Sequence, residues 1–71
     1  MSGYKKKRED DLKEIARKFE KVVAKNGKKV ILEPMSAYER KIIHTELQDS
    51  NLVKTYSIGE EPHRKVVIEK I

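Results

Sequence analysis

KKVILEPMSAYERKIIHTEL, Lys28 to Leu47, changes its period halfway, and the fold turns on where it does so. Its first part, Val30-Ile31-Leu32, is a short β-branched and aliphatic run that suits a strand. Pro34 cannot donate to a ladder and ends it. Two residues later, Ser36-Ala37-Tyr38-Glu39 has the form of a capping box: the serine oxygen accepts from the third helical amide, and Glu39 reaches back to the cap. A helix is therefore predicted from Ser36 to about Gln48, ended by Asp49-Ser50-Asn51.

Upstream, from about Tyr4 to Asn26, Leu12, Ile15, Ala16, Phe19, Val22 and Val23 recur at the spacing of one helix face. Lys13, Arg17, Lys21 and Lys25 fall elsewhere on that circumference. Asn26-Gly27 after the last apolar pair reads as a helix C-terminus with glycine in the left-handed conformation. Downstream, 52–58 and 64–68 are β-prone runs joined by Gly-Glu-Glu-Pro-His, a connection suited to an antiparallel hairpin with a loop. The order is helix, strand, helix, strand, strand. Burying both helix stripes requires that they lie on the sheet, which gives a small two-layer α+β domain spanning residues 4–71. Met1, Ser2 and Gly3 have the look of an expression-vector remnant.

Seventy-one residues make one domain, and a chain of this size buries only about 60% of the surface its unfolded form exposes. There is no cysteine, which excludes a disulfide framework and a thiolate metal site. With two histidines, a zinc site would need several carboxylates besides, so neither a metal nor another cofactor is expected. No apolar run approaches the roughly 18 residues of a membrane span, the N-terminus lacks a signal-peptide core, and the cytoplasm is the simplest location. The net charge of +5 is unevenly placed. Residues 1–29 carry eleven basic and five acidic side chains, whereas 30–71 carry six and seven. Any role for bulk charge belongs to the first third, and Lys5 to Arg8 reads as a solvated helix end or as an attraction for phosphates or an anionic membrane surface.

On a helical wheel, Ile43 and Leu47 mark the buried stripe of the second helix, with Ile42 on one side and Arg40 and His44 on the other shoulder. Lys41 and Gln48 lie further round. A residue at that border lays its stem on apolar neighbours while its tip reaches solvent. An arginine there suits a phosphate through its planar fork, and an imidazole beside it adds a hydrogen bond or a stacking face. The spacing also fits a plain border arginine and a packed histidine.

LEPMSAYERKIIHTEL followed by TYSIGEEPHRKVVI resembles the R-3-H domain, the single-stranded nucleic-acid-binding module named for its Arg-x-x-x-His spacing, here Arg40 and His44. More narrowly, it is similar to the C-terminal domain of the bacterial Jag family, over about residues 28–69. The resemblance implies a three-stranded antiparallel sheet carrying two helices, a nucleic-acid site at Arg40 and His44, and a basic contribution from Arg64, with Lys65 and Lys41 grouped beside them. It also implies a larger RNA-binding parent with a KH domain, and with it a KH-domain partner protein, before this module; the chain itself has no GxxG loop.

The ligand expected is thus single-stranded RNA or DNA, RNA first, bound by a non-enzymatic monomer, since nothing in the sequence arranges a nucleophile, base and orienter. A contrasting reading is a protein-interaction or membrane-surface scaffold working through the basic first helix. Glu60 and Glu61 either orient Arg40 or Arg64 by ion pairing or are solvated in their loop. Tyr56 either stacks on a base or packs within the sheet, and His63 reads as a loop residue.

Overall fold

The computed structural model describes residues 2–71, with side chains from residue 6 onward. Helix α1 spans Ser2–Asn26, so Ser2 and Gly3 lie in its first turn, and Met1, grouped with them in the sequence reading, lies outside the described residues. At its end Gly27 takes φ 75°, a conformation in which a side chain would be strained, and its amide returns to the Val23 carbonyl at 2.8 Å.

Strand β1 is Val30–Ile31 alone. Leu32, read as its last residue, still donates its amide to the Val66 carbonyl at 2.9 Å, and Pro34 prevents the ladder from continuing. Helix α2 spans Ala37–Leu47 with Ser36 as cap, and both arms of the capping box are made with Glu39. Strands β2, Val53–Ile58, and β3, Lys65–Lys70, pair antiparallel throughout, from Val53 opposite Lys70 to Ile58 opposite Lys65. The last strand thus runs two residues beyond the predicted Ile68 because Glu69 and Lys70 find partners in Lys54 and Val53.

β3 occupies the centre of the sheet, with β1 antiparallel on one side and β2 on the other. Alternation then sorts the side chains. Val53, Val66 and Ile68 join Leu12, Ala16, Val23, Ile43 and Leu47 in the core beneath the helices, and Phe19 and Ile42 pack at its margin. Ile31, Tyr56 and Ile58 point to the other, uncovered face, where Val67 is nevertheless buried between its cross-strand neighbours. No described helix is long and apolar enough to cross a membrane.

Ile43 is fully buried at the centre of this core. Ile43→Val is expected to cost about 1 kcal/mol and Ile43→Ala roughly 2–5 kcal/mol in chemical denaturation, the larger loss being enough to unfold so small a domain.

Candidate nucleic-acid interface

Arg40 belongs to the second turn of α2, and the structure draws it deeper than the wheel suggested, to 7% exposure. Two acceptors hold it there. Met35 lies in the loop between β1 and α2, where its carbonyl has no ladder partner, and Arg40 Nη1 donates to it at 2.7 Å. Arg40 Nη2 donates to Glu61 Oε1 at 2.5 Å, across from the β2–β3 loop. A buried guanidinium is costly unless its charge is paired and its donors are used, and this pairing meets that requirement. Met35 in turn donates its amide to the Arg64 carbonyl at 3.2 Å, so the two loops are tied to each other as well as to the helix.

One turn further on, His44 is half-buried against β2. Its Nδ1 lies 2.7 Å from Thr55 Oγ1 and its Nε2 3.1 Å from Ser57 Oγ. A neutral imidazole donates from one nitrogen and accepts at the other, and each hydroxyl can serve either role. Burial, and then the positive charge of Arg40, push the His44 pKa below the ordinary histidine value, so the ring is neutral at pH 7. Thr55 and Ser57 are members of the site that the sequence reading missed. Their signal was two hydroxyls at alternate strand positions, which share a face. Beside His44, a groove of about 380 Å³ opens between α2 and β2, lined by Thr45, Gln48, Lys54 and Thr55 among others.

The remaining candidates are spread around this rim. Lys41 is exposed on α2, adjoining His44 on the wheel. Arg64 folds back on its own loop and donates from Nη1 to the Gly59 carbonyl at 2.6 Å. Lys65 stands opposite Ile58 and so on the face with Tyr56, across the sheet from His44. Glu61 takes the orienting role toward Arg40, whereas Glu60 and His63 are exposed in the loop. Tyr56 donates its hydroxyl to Glu69 at 2.7 Å. The cap of α2 is occupied by Ser36 and Glu39 themselves.

The carboxylates of α2 are answered from α1. Arg8 Nε donates to Glu39 at 2.9 Å and Arg17 Nε to Glu46 at 2.6 Å, while Tyr38 donates to Glu9. The hydrogen bond from Arg8 holds the Glu39 carboxyl below its usual range. Among the described residues, no cluster of three or more His, Asp or Glu is placed to hold a metal.

An arginine and a histidine on successive turns, brought together at one rim by helix, edge strand and loop, define the class. The R-3-H domain model matches residues 10–70, and the chain belongs to that family. Its relatives include RNA-binding protein KhpB of Lactiplantibacillus plantarum, 43% identical over 68 residues that make up 96% of this chain and 21% of that protein. RNA-binding protein KhpB of Clostridium symbiosum is 43% identical over 66 residues, 93% of this chain and 30% of that protein. The Bacillus subtilis protein of the same name is 43% identical over 68 residues, covering 93% and 33%. The chain therefore spans a fifth to a third of the length of these curated relatives.

Two outcomes are expected. Arg40→Lys keeps the charge but cannot reach both acceptors, and should lower stability by about 1–3 kcal/mol in urea unfolding. Because folding depresses the His44 pKa, the unfolded chain takes up its proton first. The stability linked to this ring should be complete above about pH 6.5 and fall as pH is lowered toward the folded value, and His44→Gln should flatten that part of a pH series.

Proposed function

We propose that the domain binds single-stranded nucleic acid, RNA in preference to DNA, along the rim formed by α2, β2 and the β2–β3 loop. The observation that carries this reading is the convergence of Arg40 and His44 on one rim in a chain of the R-3-H family. Preference for RNA rests on the relatives, each named as an RNA-binding protein.

In this reading Arg40 meets a phosphate at the loop end of the rim, with Arg64 close by on the same loop and Lys41 along the helix. His44 works as a neutral ring whose face a base covers, because its nitrogens are already engaged with Thr55 and Ser57. Lys65 carries positive charge round the hairpin to the far face of the sheet. The domain catalyses nothing by itself. It acts in the cytoplasm as the nucleic-acid-binding end of a longer regulator, with a KH domain and a KH-domain partner protein supplying further contacts.

So few phosphate contacts give micromolar or weaker affinity, and log affinity should fall against log salt by about 0.7 per phosphate neutralised. Fluorescence anisotropy with a labelled single-stranded RNA at several salt concentrations tests this. Lys41→Ala and Arg64→Ala should each weaken binding and reduce the salt slope by about 0.7. A slope indifferent to both variants would sink the proposed rim.

A further inference from the structure

We propose that Glu61 is a resident competitor for the phosphate position on Arg40, so that binding is an exchange of carboxylate for phosphate. This rests on the rim assigned above and names the residue that sets its affinity. Of the two anchors on Arg40, the Met35 carbonyl is backbone and stays in place. The carboxylate of Glu61 is the anchor that can leave. The Glu61 side chain is 58% exposed against 9% for that of Arg40, so in this pair the anion is the outer member.

The loop does not depend on that ion pair for its shape. Arg64 closes it onto the Gly59 carbonyl, the His63 amide donates to the Glu60 carbonyl at 2.8 Å, and Met35 holds its exit at Arg64. Glu61 can therefore swing off Arg40 while the turn persists. What replaces it must be an anion, because a buried guanidinium left unpaired is strongly unfavourable. Carboxylate and phosphate offer the planar fork equivalent oxygens at similar distances, and phosphate fits the vacated place.

The exchange also confers selectivity. An isolated phosphate gains one contact and must displace Glu61 with Glu60 beside it in the chain. A strand brings several phosphates and adds Lys41 and Arg64 to the balance. The wild-type domain should thus ignore inorganic phosphate while binding an oligonucleotide.

Glu61→Gln keeps an amide oxygen for Arg40 and removes the competing charge. It should bind a labelled single-stranded RNA roughly three- to fivefold more tightly than wild type, the range of a partly exposed ion pair. Glu60→Gln removes the same charge from the neighbouring position without touching Arg40, and should change affinity less. Inorganic phosphate should raise the melting temperature of the Glu61→Gln variant and leave that of wild type unchanged. In wild type, the NMR signals of the Arg40 guanidinium should move on adding RNA. Equal effects of the two variants, or weaker binding by Glu61→Gln, would overturn the exchange and leave the rim standing. Binding that survives loss of both Lys41 and Arg64 would overturn the rim itself, and the exchange with it.

Discussion

One cation is buried among the described residues, Arg40, and it ties α2 to two loops. The Arg40 guanidinium is buried, where an unmatched charge is not tolerated, and a backbone carbonyl and a carboxylate answer it. The Met35 carbonyl is turned inward from one loop, and Glu61 is drawn across from another. Because Met35 also holds Arg64, the path from β1 into α2 and the return from β2 to β3 are fixed relative to each other. His44 extends the same constraint along the helix by holding two positions of β2. The charge that would attract a nucleic acid thus sits between two loops whose relative placement is also kept by the Met35–Arg64 hydrogen bond.

Much of the fold could be read before any coordinates. The capping box at Ser36 and Glu39, Gly27 after α1, and the apolar stripes were local signals, and each governs a local structure. The strand order was less accessible. That β3 pairs with both other strands depends on how the helices cover the sheet, and neither pattern nor turn residues encode it.

The site shows the same division. Arg40 and His44 could be picked out by spacing and motif, because one helical turn separates them. The depth of Arg40 could not, since the acceptors that draw it inward come from Met35, five residues earlier, and Glu61, on a distant loop. The ion pairing of Glu61 was one of two readings open to the sequence. Alternation put the Thr55 and Ser57 hydroxyls on one face of β2, but only the placement of α2 over that face shows what they meet. The neutrality of His44 follows from that placement too, because burial and the nearby Arg40 charge act only in the folded chain.

The position of β3 at the centre of the sheet has a consequence for synthesis. Among the described residues, β1 and β2 pair with β3 alone, and β3 follows both in the sequence. On a ribosome, both helices can emerge and stack while the outer strands still lack a ladder to join. The sheet closes in one late step, when Lys65 to Lys70 arrive to pair with β2, made just before, and with β1, made some thirty residues earlier. A nascent chain stopped just short of β3 would hold every rim residue from Arg40 to Arg64 and still have no sheet to display them.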